Sequence, residues 1–110
     1  MFRGSDSFMK VPYIIKPSPL SSKKWVVITP EDKKIHFGAK NYEDYTQHGN
    51  PVRKAAYIKR HSNNENWYRS GINTAGFWAR WLLWNLPTIE ESAKDIERRF
   101  GIHILLSSAV

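Results

Sequence analysis

The sequence predicts an α+β fold in which a small β-hairpin or sheet packs on about three helices, preceded by an extended N-terminal arm. Three observations lead to this class: a strand–turn–strand pattern at residues 24–37, helix patterns with recognisable ends after residue 50, and a proline-rich start. The 110 residues, 41% hydrophobic and 14% aromatic, suffice for one compact core. We therefore predict an arm at residues 1–22 and a single compact domain at residues 23–110.

Residues 1–22 combine three prolines, serine and glycine with isolated apolar side chains. Proline removes amide donors and favours extended backbone, which predicts an arm without regular structure. Because the segment is too apolar for an inert tail, we expect it to dock on its own domain or on a neighbour, and we favour the neighbour. The partner-binding residues predicted on the arm are Phe2, Phe8, Tyr13, Ile14 and Ile15.

Residues 24–37 (KWVVITPEDKKIHF) carry the pattern of a β-hairpin. Trp25 and the three aliphatic residues after it are strand formers, and the TPEDKK stretch holds Pro30 where its fixed φ angle suits a turn. Ile35 and Phe37 alternate with polar neighbours, as in a half-buried strand. The pattern predicts two antiparallel strands.

A short basic helix is predicted to begin at Pro51, because Asn50 is a favoured N-cap and proline is favoured in the first turn. Its outer face is expected to carry most of the positive charge. The residues expected to face inward are Val52, Ala55, Ala56 and Ile58, and those expected to face outward are Arg53, Lys54, Lys59 and Arg60.

The segment TAGFWARWLLWN (74–85) predicts a helix that is apolar over most of its circumference and therefore central to the core. A base-stacking surface would need exposed rings interleaved with basic side chains, and Arg80 is the only charge in the segment. We therefore predict that its rings are core rather than ligand-facing. The residues concerned are Phe77, Trp81 and Trp84.

A second amphipathic helix is predicted in TIEESAKDIERRFG. Thr88 and Glu91 have the spacing of a capping box, and Gly101 is a common helix stop. Glutamates near the start and arginines near the end complement the helix dipole. The apolar stripe consists of Ile89, Ala93, Ile96 and Phe100, and the IHILL stretch that follows is compatible with a last strand.

Basic residues outnumber acidic residues by 17 to 10, and the net charge of +7 is concentrated in the first half of the chain. Such a field attracts polyanions such as nucleic acid, anionic lipid or an acidic protein face, although it also fits an ordinary surface with a high pI. No recognised nucleic-acid motif surrounds the basic runs, so we expect phosphate contacts without base readout. The predicted polyanion-binding residues are Lys23, Lys24, Arg53, Lys54, Lys59 and Arg60.

The chain has no cysteine, which excludes disulfides, thiolate zinc sites and thiol catalysis. His61 and Glu65 have the spacing of a helical pair, but intervening asparagines argue against a continuous helix. Glu43 and Asp44 are adjacent and do not face each other across a site. We therefore predict no enzyme, with no catalytic residue, no metal ligand and no cofactor. The start of the chain lacks the apolar region of a signal peptide, and the longest apolar stretch is too short for a membrane span.

Three motifs carry a resemblance: FGAKNYEDYTQH (37–48), RKAAYIKRHSNNENW (53–67) and TAGFWARWLLWNLPTIEESAKDIERRF (74–100). In them the chain resembles a small uncharacterised domain family of large nucleocytoplasmic DNA viruses of algae and protists. That family tends to have Ser at the position of Ala79 and Lys or another residue at the position of Leu86. It has no established activity, so the resemblance implies a viral setting and assigns no catalytic residue.

The arm and the viral setting together predict a structural protein of the virion. It would be a minor capsid or cement component of a large double-stranded DNA virus and would bind neighbouring capsid subunits partly through residues 1–22. Its expected partners are other capsid or virion proteins, with nucleic acid on the basic face and no membrane span. Its expected locations are the virion and, during assembly, the host cytoplasm or nucleus. The alternative is a nucleic-acid-binding protein without sequence specificity on the viral genome, and a third possibility is an enzyme acting on nucleic acid.

Overall fold

A four-stranded mixed sheet with helices packed on one face forms the described part of the chain, which is residues 11–108 of a computed structural model. The predicted α+β class is confirmed. Strand β1 is antiparallel to β2 and parallel to β4, and β2 is antiparallel to β3. The strands are β1 Tyr13–Pro17, β2 Lys23–Ile28, β3 Lys34–Ala39 and β4 Ile104–Leu106, in the spatial order β3-β2-β1-β4.

Strand β1 lies inside the sheet, between β2 and β4. Ile15 is paired with Val27 on one side and with Leu106 on the other, and its side chain is fully buried. Pro12 precedes the strand and Pro17 is its last residue, so neither proline removes an amide from the middle of the ladder. The apolar residues between the two prolines therefore pair as an ordinary central strand.

The prediction of an arm without regular structure is wrong for residues 13–17, which belong to the sheet. The compact domain consequently begins before residue 23, the boundary that the sequence predicted. Partner binding by a free arm is excluded for Ile15, because its side chain is in the core. Of the predicted partner-binding residues, Tyr13, Ile14 and Ile15 lie in β1, and Phe2 and Phe8 lie outside the described residues.

The hairpin predicted at residues 24–37 is confirmed as β2 and β3, with Trp25 opposite Phe37 and Val27 opposite Ile35. These four side chains share one face of the sheet, because residues two apart in a strand and residues directly opposed in neighbouring strands point the same way. Val27 and Phe37 are fully buried on this face, and the other two pack partly buried against the same core. The sheet thus presents one apolar face to the helices.

Each of the three predicted helices is present. The helical elements are α1 Tyr45–His48, α2 Pro51–His61, a 3₁₀ turn Arg69–Gly71, α3 Ala75–Trp78 with a π-helical turn Ala79–Leu83 that continues it, and α4 Ile89–Phe100. The side chain of Asn50 accepts a hydrogen bond from the Val52 amide (2.9 Å), and that of Thr88 accepts one from the Glu91 amide (3.1 Å). Gly101 ends α4 in the left-handed conformation, with φ of 65°. Within residues 11–108 no helix has the length and apolar character needed to cross a lipid bilayer.

The π-helical turn decides which side of the tryptophan-rich segment enters the core. Its hydrogen bonds span five residues, as in the 3.1 Å bond from the Trp84 amide to the Ala79 carbonyl. Successive side chains therefore point in directions that differ from those in a regular α-helix. Leu82 and Leu83 become buried as a result, next to Phe77 in the same core.

Of the three residues predicted as core in this segment, only Phe77 is fully buried. Trp81 is half-buried; it packs edge-on against Phe100, and its ring nitrogen donates to the Trp67 carbonyl (2.9 Å). Trp84 is also half-buried; like Trp81 it packs against the core, and it also lines a cleft. The prediction assumed a period of 3.6 residues throughout, which the π-helical turn breaks.

The predicted inward face of α2 is also wrong. Val52 is 76% exposed, and the two alanines of the predicted face are exposed as well. Tyr57 is the residue of α2 that is buried, and Ile58 is half-buried. An aromatic ring buries far more area than valine or alanine, so Tyr57 sets the orientation of the helix.

A buried polar pair joins the end of the π-helical turn to α4. Nδ2 of Asn85 donates to Oδ2 of Asp95 (2.8 Å), and Nε of Arg99 donates to the same oxygen (2.7 Å). Burial alone would raise the pKa of Asp95, but these hydrogen bonds and the charges of Arg99 and Arg98 outweigh it and lower the pKa. The ionised carboxylate therefore acts as a fixed link between the two helices.

Because β1 is a central strand, we expect Ile15→Ala to lower the free energy of unfolding by about 2–5 kcal/mol. Val11→Ala is the control; this residue precedes β1 and is 58% exposed, so its truncation should change stability by less than about 0.5 kcal/mol. Urea unfolding followed by tryptophan fluorescence measures both. Equal stability of the two variants would contradict the position of β1 in the core.

Candidate polyanion-binding cleft

A cleft of about 660 Å³ opens between two helices and the ends of two strands. Its walls are one face of α2, the segment of α3 with its π-helical turn, the end of β3 with the loop at residues 40–44, and the start of β2. Ligand sites in proteins range from about 300 to 1,000 Å³, so this cleft has the size of a site for a small ligand or for part of a larger one.

Two helix faces with small side chains create the space. Residues of α2 that line the cleft recur at helical spacing, and those of α3 and its continuation face them. Alanine or glycine at four of these positions leaves the volume between the helices unfilled. The lining residues are Arg53, Ala56, Tyr57, Arg60 and His61 on α2, and Ala75, Gly76, Ala79, Leu83 and Trp84 on the facing segment.

Gly76 allows a carboxylate to enter the cleft. A Cβ atom at this position would lie 1.9 Å from Oε1 of Glu65, so no other residue fits without a shift of Glu65. Oε2 of Glu65 lies 3.8 Å from Nδ1 of His61. From the sequence, His61 and Glu65 were not expected to meet, because asparagines interrupt the helix between them. The turn that follows α2 nevertheless brings the two side chains together.

An aromatic stack forms one wall. The rings of Tyr57 and Trp84 are parallel within 3°, with centroids 4.4 Å apart, and the ring of His61 lies 4.4 Å from that of Tyr57. Burial, with a smaller contribution from the negative charge of Glu65, raises the pKa of Tyr57 to about 12. The phenol therefore stays neutral at physiological pH, and the stack holds α2 against the end of the π-helical turn.

The structure brings together four of the six predicted polyanion-binding residues, and all four line this cleft. Two come from the start of β2 and two from α2, which are distant in the sequence. The residues at the cleft are Lys23, Lys24, Arg53 and Arg60, and the two outside it are Lys54 and Lys59.

Lys24 and Arg53 are held in ion pairs beside the cleft. Nζ of Lys24 lies 2.7 Å from Oδ2 of Asp44, with both side chains largely buried. Nη1 of Arg53 lies 3.2 Å from Oε1 of Glu43, and these side chains are 50% and 61% exposed. Exposed pairs contribute little to stability, so the second pair can open far more readily than the first.

Of the four basic residues that line the cleft, Lys23 and Arg60 are the two whose charges are available to a ligand. Neither forms an ion pair with any residue in the range 11–108. Arg60 is exposed on α2 and Lys23 is half-buried at the start of β2. Their charges are consequently not neutralised by a neighbouring carboxylate within the described part of the chain.

Lys54 has a structural role that the sequence did not indicate. The prediction placed it on the outer face of α2, but it is half-buried, and its Nζ donates to the Asn85 carbonyl (2.6 Å). Burial, together with the positive charge of Arg80, lowers the pKa of Lys54. This lysine ties α2 to the segment after the π-helical turn. Lys59 is exposed on α2 as predicted.

Two aromatic residues of the cleft were not expected to face a site. Tyr42 follows β3 in the loop and is 75% exposed, while Trp84 is half-buried. The exposure of Tyr42 could have been suspected from its place in a polar stretch, but its position near the basic residues depends on the fold. Basic side chains, hydrogen-bond-accepting carboxylates and aromatic rings are thus combined in one cleft.

Within residues 11–108, no group of three or more His, Asp and Glu side chains could hold a metal ion.

Comparison with known protein families finds one match: residues 13–61 are similar to a family of unknown function, DUF5754. The match includes β1 to β3, α1 and α2, which is less than half of the chain, and leaves out the tryptophan-rich motif. No curated protein and no solved structure matches the chain.

The raised pKa of Tyr57 predicts a loss of stability at alkaline pH. Its value in the unfolded chain is the ordinary 10.0, against about 12 in the fold, so its contribution is complete below pH 10 and is lost as the pH rises to 12. The difference corresponds to about 3 kcal/mol. We expect the wild type to lose more stability than Tyr57→Phe over this range, measured by urea unfolding at each pH. Parallel profiles would show that the phenol is not buried.

Proposed function

We propose that this chain is a non-enzymatic nucleic-acid-binding protein that contacts phosphates without reading base sequence, in the viral setting that the sequence resemblance implies. The observation that carries this proposal is the convergence of Lys23, Lys24, Arg53 and Arg60 on one cleft, from elements distant in the sequence. Lysine and arginine attract phosphates and release their condensed counterions on contact, which is the main source of non-specific binding.

The ion pairs in the cleft are compatible with a phosphate ligand. The largely buried pair of Lys24 and Asp44 fixes the start of β2 against the loop and thereby positions the neighbouring Lys23. The exposed pair of Arg53 and Glu43 costs little to open, so Arg53 can exchange its carboxylate for a phosphate. Two free cations and one readily released cation make a small site, which fits weak and salt-dependent binding.

The salt dependence of binding tests this proposal. In the variant Lys23→Gln/Arg60→Gln, we expect the slope of log affinity against log salt concentration to fall by about 0.7–0.9 for each phosphate that the protein no longer neutralises. Lys54 is left unchanged, because its substitution would also remove the bond to the Asn85 carbonyl. Fluorescence anisotropy with labelled oligonucleotides of several sequences gives the slopes and shows whether sequence matters.

The control is Lys33→Gln/Lys94→Gln, which removes the same charge from exposed positions outside the cleft. It should lower affinity less and leave the slope close to that of the wild type. An equal effect of both double variants would mean that binding depends on net charge alone. Tight binding that persists at high salt or discriminates between sequences would contradict phosphate-based recognition.

A structural role in the virion is the second proposal, and one observation favours it. Among residues 11–108, β4 is an edge strand of the sheet; its Leu105 and Leu106 are 49% and 38% exposed, and Val11, which precedes the neighbouring strand β1, is 58% exposed. Edge strands with exposed apolar residues are surfaces on which another chain can add a strand. Residues Tyr13–Pro17 form strand β1 and are not free to bind a capsid neighbour as an arm. We therefore propose the exposed edge of β4 as the contact surface instead.

The edge-strand proposal is tested in purified particles of the large DNA virus in which the proposal places this chain. We expect mass spectrometry to find the protein in the particles and Leu105→Glu to reduce its incorporation, because a charge on the edge opposes pairing with another chain. Lys94→Glu changes an exposed residue of α4 and serves as the control for added negative charge. Full incorporation of Leu105→Glu would exclude this edge as the contact surface.

A further inference from the structure

The mixture of charges in the cleft limits which part of a nucleic acid can enter it. Glu43, Asp44 and Glu65 line the cleft together with the four basic residues. A phosphate deep inside the cleft would be repelled by these carboxylates, whereas a neutral base would not be. Asp44 accepts hydrogen bonds from Lys24 and from the Thr46 amide (2.9 Å), and Glu43 accepts one from Arg53 (3.2 Å).

The aromatic lining supplies what an unpaired base requires. Tyr42 is 75% exposed in the loop after β3, and within residues 11–108 its ring makes no contact with another aromatic ring. Proteins that bind single strands combine such exposed rings with basic side chains, because every base has a face that stacks. Tyr42 lines the same cleft as the unpaired cations Lys23 and Arg60, which is the combination that such proteins use.

The shape of the cleft favours a single strand over a duplex. A duplex keeps its bases stacked inside and presents its phosphates to the protein, so it cannot place a base face on a ring at the wall of a concave cleft. A single strand can turn one base inward while its flanking phosphates stay at the rim. Lys23 and Arg60 carry charges available to those phosphates, since neither is paired with a carboxylate in the described residues.

We propose that the cleft binds one unpaired base of single-stranded nucleic acid, stacked on Tyr42, with the adjacent phosphates on Lys23 and Arg60. The inference rests on the proposed nucleic-acid-binding function and specifies its substrate class. One stacked base gives no sequence code, which agrees with binding that does not depend on sequence.

The test compares a labelled single strand with a duplex of the same length, about 12 nucleotides, by fluorescence anisotropy with the full chain. We expect the single strand to bind more tightly. Tyr42→Ala should weaken single-strand binding by about 5- to 150-fold, the range for removal of one base–aromatic stack, without changing the salt slope. Tyr42→Phe should retain binding, because the ring and not the hydroxyl makes the stack.

Tyr68→Ala is the matched control, since Tyr68 is 81% exposed and does not line the cleft; its affinity should equal that of the wild type. Far-ultraviolet circular dichroism verifies that each variant is folded. Equal affinity for single strand and duplex, or no effect of Tyr42→Ala, would overturn the inference and leave the phosphate-binding function standing. No binding of either nucleic acid by the wild type at low salt would instead overturn the proposed function itself.

Discussion

The pairing of β1 with both β2 and β4 is the constraint on which the fold depends. Ile15 is bonded into the sheet between Val27 and Leu106, so one short strand near the beginning of the described residues holds the last strand in place. Within residues 11–108, β1 is the only strand with which β4 pairs. The core face that receives the helices is complete only when these strands are joined, because Ile15 and Ile104 both contribute to the same apolar cluster. The start of the domain is therefore a structural element and not an appendage.

The cleft depends in turn on how α2 is held against the rest of the domain. Tyr57 stacks on Trp84, and Lys54 donates to the Asn85 carbonyl, so both contacts fasten α2 to the end of the π-helical turn. Beyond these contacts, towards the first turn of α3, the facing residues are alanine and glycine, whose small side chains leave the cleft open between α2 and α3. The π-helical turn gives Trp84 a different direction from the one that a regular continuation of α3 would give it, and in that direction Trp84 stacks on Tyr57. The irregular turn thus links the core to the wall of the cleft.

The sequence predicts the locally encoded parts of this structure well. Asn50, Thr88 and Gly101 cap their helices as predicted, because each signal acts through hydrogen bonds or backbone angles within a few residues. Strand β1 was missed because its flanking prolines were taken to indicate backbone without regular structure, although β1 pairs with the nearby β2. No local pattern reports its second pairing, with β4 near the end of the described residues. The cleft was missed because it too joins segments that are distant in the sequence. Its basic residues were identified individually, but their convergence and the presence of Tyr42 beside them are consequences of the fold.

The net charge of +7 overstates the positive surface that a ligand meets. Lys54 donates to the Asn85 carbonyl, and Nη1 of Arg80 donates to the Trp84 carbonyl (2.9 Å), so two cations satisfy carbonyl groups where the helical segment ends. Burial and the charge of Arg99 lower the pKa of Arg80, as expected for a cation engaged inside the structure. Both cations are half-buried, so a ligand at the surface meets less of their charge than the composition indicates. The proposed nucleic-acid binding therefore relies on few charges, which is the reason that the proposal adds the exposed ring of Tyr42 to them.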